Sequence, residues 1–325
     1  MDAWCCESLE GVKGLRWRTS PTPPPQAGEV RVRIHAASLN FPDLLIVEGK
    51  YQVKPDLPFV PGSEFCGTVD AVGASVEHLR EGDRVAVLGS TGGFATHACV
   101  PARSAMVLPG AMEFDDAAAF AFTYGTSYHA LMDRAALKPQ ETVLVLGAAG
   151  GVGSAAVQIA KAAGARVIAA VSSDEKAARC LQMGADATLN YSREPLRDAL
   201  KALTAGQGPD VVYDPVGGDL AEPAFRSIAW RGRYLVVGFA QGSIPSLPLN
   251  LSLLKGASIV GVFWGAFVQR EPKAFAQDMA QLMAWYQEGK VKPVIDAKWS
   301  MSEIAKAYER MASRQVVGKL LLVNE

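Results

Sequence analysis

The sequence predicts an α/β protein: a doubly wound parallel sheet joined to a second, β-rich domain. Three observations carry this reading. From about Thr123 onward, apolar strand-like runs alternate with helix-like segments, as in a parallel sheet with crossover helices. One run, Thr142–Leu146, leads straight into the glycine-rich turn Gly147-Ala148-Ala149-Gly150-Gly151-Val152-Gly153. The first third instead shows period-2 alternation between glycines, the mark of half-buried strands in a small β domain with few helices. A length of 325 residues agrees with two domains, at roughly 100–200 residues each.

The elements follow in order. Glu29–Ile34 reads EVRVRI, with Val30, Val32 and Ile34 on one face. Phe65–Val72 and Asp83–Leu88 are further strands, bounded by Gly62, Gly67, Gly73, Gly82 and Gly89. Pro21-Thr22-Pro23-Pro24-Pro25 is an extended connector, because proline fixes φ and removes a donor. In the second domain Thr142–Leu146 is apolar without alternation, as a strand buried on both faces requires. A helix over Val152–Ala163 follows, then a strand at Arg166–Val171 and a helix at Asp174–Met183 stopped by Gly184. Val211–Tyr213, Tyr234–Val237 and Ile259–Val262 continue the strand series.

Beyond Trp264 the alternation ends. Ala274–Gln287 has an amphipathic helical pattern, with Phe275, Met279, Leu282, Met283 and Tyr286 on one side. Met301–Ala312 is a second helix, with Ser300 and Glu303 forming a capping box. Gly318–Val323 is a closing strand. The tail is assigned to the first domain, which gives expected bounds of 1–122 with 266–325, and 123–265.

Apolar residues make up 49% and charged residues 20%, enough for two packed cores, and the net charge is −1. Near-neutral charge without a basic run gives no reason to expect nucleic acid or a membrane surface as partner. The five cysteines, Cys5, Cys6, Cys66, Cys99 and Cys180, show no CxxC pair. They read as reduced thiols in a cytoplasmic setting. The opening Met1-Asp2-Ala3-Trp4 does not resemble a signal peptide. The longest apolar runs, near Val143–Leu146 and Ala117–Phe122, are far too short to span a bilayer.

The glycine turn is the chemical centre of the sequence. It follows a strand and opens a helix, the setting of a Rossmann dinucleotide fingerprint. Glycine there lets a pyrophosphate reach the backbone N–H groups and the positive end of the helix. The end of the next strand selects the cofactor. NAD-binding folds place an Asp or Glu there to hold the ribose 2′-hydroxyl. Here Val171 is followed by Ser172 and Ser173, with Lys176 one turn on, which favours the 2′-phosphate of NADPH. In the bland reading Ser172 caps the helix and Lys176 is solvated. Asp174 and Glu175 are the residues that oppose NADPH should either turn inward.

No zinc-ligand set appears among His35, His78, His97, His129 and the cysteines; only His97 and Cys99 lie close together. Hydride transfer without a Lewis acid points to an acceptor that is already conjugated, such as a quinone or enone.

Several segments resemble the zinc-lacking NADPH:quinone oxidoreductases, the ζ-crystallin-like group of the medium-chain dehydrogenase/reductase superfamily. They are Gly147–Gly153, Val171–Lys176, Asn190-Tyr191, Asp214-Pro215-Val216-Gly217-Gly218, Gly232–Gly238, Gly318–Leu322 and the N-terminal Pro58–Glu64. Tyr124–Leu131 and Val236–Ala240 are similar to the animal quinone oxidoreductase-like branch of that group. Asn40 stands where the zinc relatives carry a ligand Cys, Ser63 stands where they carry a His before Glu64, and the lobe of four structural cysteines is missing.

The resemblance implies a GroES-like β-rich catalytic domain beside the Rossmann domain, and a homodimer. It places Ala149, Gly150, Gly151 and Val152 at the pyrophosphate and Ser172 and Lys176 at the 2′-phosphate. Tyr191 would pack beside the adenosine ribose and phosphate. Gly238, Phe239 and Ala240 would lie along the nicotinamide ribose, with Phe263 and Gly265 near the carboxamide. Asn40 and Thr126 would flank the nicotinamide and the substrate carbonyl, and Tyr51 would line the substrate site. Leu45 departs from the group, several members of which carry a Tyr there. The expected activity is NADPH-dependent reduction of a quinone or α,β-unsaturated carbonyl. In it Asn40 hydrogen-bonds the developing oxyanion, and solvent or Tyr51 supplies the proton. The alternative is a crystallin-like or RNA-interacting NADPH-binding protein with little turnover.

Overall fold

The non-alternating apolar runs of the second domain are strands because only a sheet covered on both faces buries such runs whole. In a computed structural model, which describes residues 1–324, Thr142–Leu146, Arg166–Val171 and Val211–Asp214 are strands. Val143, Leu144, Val145, Leu146, Val167, Ile168, Val211 and Val212 are completely buried. The spatial order is Ala187–Asn190, Arg166–Val171, Thr142–Leu146, Val211–Asp214, Arg233–Val236, Ser258–Gly261, every neighbouring pair parallel. The chain winds outward in one direction from Thr142–Leu146 and in the other from Val211–Asp214. Ligands of such sheets bind beyond the carboxyl ends of the strands at that reversal, where the glycine turn lies.

The other unit is built on a seven-stranded sheet. Its central strand, Glu29–Leu39, pairs with Glu64–Val72, His97–Pro101 and Lys319–Val323, all antiparallel. The expected strand stopped at Ile34. Register shifts at Arg31/Val32 and Ile34/Ala36 break the alternation, and the strand runs on through the buried Ala36, Ala37, Ser38 and Leu39. An N-terminal hairpin of Asp2–Cys6 and Leu15–Thr19 has no counterpart in the sequence reading. Ser300 and Glu303 form the expected capping box, but the first turn, Met301–Glu303, is 3₁₀ and the α-helix starts at Ile304.

The division of the chain corrects one expectation. The two units are Met1–Phe122 with Ile295–Glu325, and Thr123–Val294. The segment 266–294 therefore belongs with the parallel sheet, not with the β-rich unit. Its helices Trp264–Arg270 and Pro272–Gln287 bury Trp264, Phe267, Met279 and Leu282. Trp285 meets the ring of Tyr128, and Gln158 donates to the carbonyl of Lys292 at 3.0 Å. An apolar helix face in the sequence shows that something covers it, without naming the cover.

Candidate cofactor and substrate site

The glycine turn separates fold requirements from ligand requirements. Gly147 has φ +58°, and a Cβ there would sit 2.8 Å from a methyl of Val216. A Cβ on Gly153 would sit 2.3 Å from the carbonyl oxygen of Gly147. Backbone and packing therefore demand these two glycines. Gly150 is different. Its φ is −75°, and a Cβ would meet nothing closer than the Gly147 carbonyl at 3.4 Å. Gly150 caps the helix Gly151–Ala162, which has no side-chain cap and no acidic residue in its first turn. The protein's own packing does not explain glycine at this position. A group lying against the backbone does, and the uncapped N–H donors suit an anion. The loop thus fits a dinucleotide pyrophosphate at Ala149, Gly150, Gly151 and Val152.

The end of the second strand differs in one detail from the sequence reading. The helix Asp174–Gln182 is capped by Ser173, whose hydroxyl accepts from the Lys176 N–H at 3.3 Å, and not by Ser172. Ser172 is exposed, so its hydroxyl is not consumed by the cap. Asp174 turns to the neighbouring strand end, where it accepts from the Asn190 amide at 2.8 Å and pairs with Arg193. Tyr191 follows the same strand end, with its N–H bonded to the Val171 carbonyl at 3.0 Å.

At the fourth strand, buried Asp214 accepts from the N–H groups of Val216 and Gly217, both at 2.8 Å, and from the Tyr234 hydroxyl. Burial pushes the Asp214 carboxyl upward and these donors oppose the shift. The lock holds the Pro215–Gly218 turn. The turn in turn carries 238–240: the Ala240 N–H bonds to the Pro215 carbonyl at 3.0 Å. Phe263 is exposed at the start of Trp264–Arg270, with Gly265 next to it in that helix. Thr126 is buried in the helix Ala121–Tyr128. Among the aromatic side chains, Phe59 and Trp264 are buried, Phe122 is partly buried, and Phe41 and Phe263 are exposed.

In the β-rich unit Asn40 is a buried residue preceding the helix Phe41–Ile46, and its N–H bonds to Asp43 at 2.8 Å. Its amide oxygen accepts from the Lys319 ammonium, and its amide nitrogen donates to Glu64 at 3.2 Å and to Ser38 at 3.3 Å. Glu64 also accepts from Lys319 at 3.1 Å, from the Ser38 hydroxyl at 2.6 Å and from the Phe122 N–H at 2.8 Å. Lys319, Glu64 and Asp43 are all buried. Burial pushes the Asp43 carboxyl up to about 6, against the donors of Asn40 and Ser63 and the nearby Lys319 charge. Tyr51 is half-buried against this core, and desolvation, then the Asp43 charge, raises its phenol. The sequence reading missed Lys319, Ser38 and Asp43. Among the described residues, no cluster of three or more His, Cys, Asp and Glu side chains is placed to hold a metal. His97 instead pairs with Asp70 at 3.5 Å.

Comparison with known proteins settles the relationship. The alcohol dehydrogenase GroES-like domain family matches residues 26–110, and the zinc-binding dehydrogenase family matches residues 151–285. Quinone oxidoreductase-like protein 2 of Bos taurus is 41% identical over 335 residues, spanning 98% of this chain and 96% of its own length. The chain belongs to the quinone oxidoreductase group of the medium-chain dehydrogenase/reductases. A probable oxidoreductase of Mycobacterium abscessus superposes with TM-score 0.90 at 36% identity, covering 100% of this chain and 99% of its own. The Escherichia coli quinone oxidoreductase, crystallised with NADPH, superposes with TM-score 0.92 at 29% identity, covering 100% of both chains. This oxidoreductase family gives the two units their names: a Rossmann domain around the glycine turn and a GroES-like domain around Asn40. Within the Rossmann domain the structure brings Ser172, Lys176 and Tyr191 to two adjacent strand ends.

Proposed function

We propose that this chain is an NADPH-dependent, zinc-independent oxidoreductase that reduces a quinone or α,β-unsaturated carbonyl. The observation that carries the cofactor reading is Gly150, a glycine that neither backbone conformation nor packing requires, at the reversal of the sheet. The NADPH named with the E. coli relative supports it. When bound, the nicotinamide supplies a hydride to the conjugated acceptor. The residues bind and orient. The turn Ala149–Val152 receives the pyrophosphate, with Gly151 and Val152 donating from the start of the helix and Gly150, whose N–H bonds to the Gly147 carbonyl at 2.9 Å, leaving room for its approach. Ser172 and Lys176 receive the 2′-phosphate. Tyr191 lies beside the adenosine ribose and phosphate, while Gly238, Phe239, Ala240, Phe263 and Gly265 serve the nicotinamide end.

Asn40 and Thr126 are assigned to the acceptor. The Asn40 amide is fixed by Lys319, and its two N–H bonds, at 3.2 and 3.3 Å, are long. One of them is the exchangeable donor for an oxygen on which negative charge develops. Tyr51, raised by burial, keeps its proton as a hydrogen-bond donor and is a weaker acid than an exposed tyrosine, which leaves protonation to solvent. Zinc independence rests on the donor set: Asn40 and Ser63 stand at the ligand positions of the zinc relatives. We assign the chain to the cytoplasm, in keeping with its free cysteines.

Assembly as a homodimer fits the outer strand Ser258–Gly261, which among the described residues pairs only with Arg233–Val236. Ile259 in that strand, Leu253 and Leu254 shortly before it in the chain, and Trp230 are exposed. Trp230 packs beside Gly256. An apolar edge of this kind needs cover, and pairing with a two-fold copy supplies it.

The test of the activity is NADPH oxidation against a panel of quinones and enones, with metal analysis of the same protein. Consumption with conjugated acceptors and no bound zinc is expected. Inertness toward every acceptor, or stoichiometric zinc, refutes the reading. Lys176→Ala should lower kcat/KM for NADPH far more than for NADH, by a loss of about 1–3 kcal/mol reduced by solvent exposure.

A further inference from the structure

The first residue of the helix after the second Rossmann strand is a carboxylate, and a carboxylate there is a poor neighbour for a 2′-phosphate. Asp174 lies three positions beyond Val171, the strand's last residue. An acidic group in this region is the device by which NAD-binding folds hold the 2′-hydroxyl and repel the phosphate.

In this chain the carboxylate is already occupied. One oxygen accepts from the Asn190 amide at 2.8 Å and the other is paired with the Arg193 guanidinium. The partners are themselves held. Asn190 ends the strand Ala187–Asn190 and lies opposite Val171 in the parallel ladder. Its side-chain oxygen accepts from the Ser192 N–H at 3.1 Å, and its carbonyl from the Arg193 N–H at 3.0 Å. The turn after the third strand therefore presents an amide and a cation to a residue at the end of the second.

We propose that Arg193 is a specificity-determining residue: it secures the preference for a 2′-phosphate by neutralising Asp174 and turning it toward Asn190. The inference rests on the NADPH reading above. Without Arg193, Asp174 keeps the neutral Asn190 amide but loses its paired cation, and its negative charge stands in the stretch that holds Ser172 and Lys176. It then repels the phosphate and accepts from a free ribose hydroxyl. Both side chains are more than half exposed, Arg193 at 72% and Asp174 at 55%. Solvent and salt screen the effect. A change of about 3- to 10-fold in affinity is expected at low ionic strength, shrinking as salt is added.

The test uses calorimetric titration with adenosine 2′,5′-bisphosphate and with adenosine 5′-monophosphate, which report the 2′ position without turnover. The proteins are wild type, Arg193→Ala, Arg193→Lys, Asp174→Asn and the Arg193→Ala/Asp174→Asn double variant. Arg193→Ala should weaken the bisphosphate and leave the monophosphate unchanged or tighter. Arg193→Lys should retain most of the wild-type preference, since it keeps the charge. In the Asp174→Asn background the Arg193→Ala loss should nearly vanish, because no carboxylate remains to be masked. A loss that persists undiminished in that background shows a direct phosphate contact and overturns the masking role. A wild-type preference for the bisphosphate that Arg193→Ala leaves unmoved overturns this inference alone. A wild type that prefers the monophosphate overturns the NADPH reading, and this inference with it.

Discussion

Lys319→Met tests whether the network around Asn40 and Glu64 depends on a buried charge. The substitution keeps side-chain length and removes an ammonium whose side chain is 4% exposed, opposite a Glu64 side chain that is 1% exposed. Two bonds disappear, to Glu64 at 3.1 Å and to the Asn40 amide oxygen. Removing one member of a buried ion pair costs about 3–5 kcal/mol, mostly because the other charge stays behind unpaired. Glu64 keeps three donors, the Ser38 hydroxyl at 2.6 Å, the Phe122 N–H at 2.8 Å and the Asn40 amide at 3.2 Å. These place the loss at the lower end, about 3 kcal/mol. For a domain of this size that is roughly 6–12 °C in Tm. Scanning calorimetry at neutral pH measures it. The double variant Lys319→Met/Glu64→Gln should regain more than half of the loss, since neither charge is then stranded. A single variant less than about 1 kcal/mol weaker would show that the pair is effectively solvated. A double variant as unstable as the single would show that the loss comes from packing rather than charge.

The glycine turn allows a paired comparison. Gly150→Ala should fold within about 1 kcal/mol of wild type yet bind NADPH at least tenfold more weakly. Gly153→Ala, whose Cβ meets the Gly147 carbonyl at 2.3 Å, should lose stability by about 1–3 kcal/mol or more. Normal NADPH titration by Gly150→Ala would remove the argument from that glycine. Asp43 predicts a pH dependence. Its folded value of about 6 lies above its ordinary 3.8, so its contribution is fully present below about pH 4 and is lost as pH rises through 6. The cost at neutral pH is about 3 kcal/mol, to order of magnitude. Asp43→Asn should therefore gain on wild type between pH 4 and 7 in urea melts; parallel stability curves would contradict this. For the dimer, Ile259→Lys should shift the sedimentation of the protein toward the monomer mass, and a wild type already monomeric at micromolar concentration would refute the interface.

The sequence by itself determined what depends on backbone chemistry and local periodicity. Thr142–Leu146 was legible because a run without alternation suits only a strand covered on both faces. The glycines after it announced a turn and a helix start. Ser300 and Glu303 announced a cap, since both partners lie within one turn. Only the tertiary structure decided the rest. Lys319 lies 279 positions from Asn40, and no local pattern marks a lysine near the C-terminus as the buried partner of an amide near the N-terminus. The sequence marked Asp174 as a charge opposed to the 2′-phosphate, but nothing local marked Arg193 as its partner; two parallel strand ends brought them together. The bulges in Glu29–Leu39 hid the end of that strand, because a register shift moves side chains to the other face without changing composition. The helix Pro272–Gln287 showed an apolar face, but whether that face met the parallel sheet's unit or the β-rich one was a matter of chain path. Local propensity is written residue by residue; partnership across the fold arises only when the chain closes on itself and a buried charge or apolar face must be matched by whatever lies opposite.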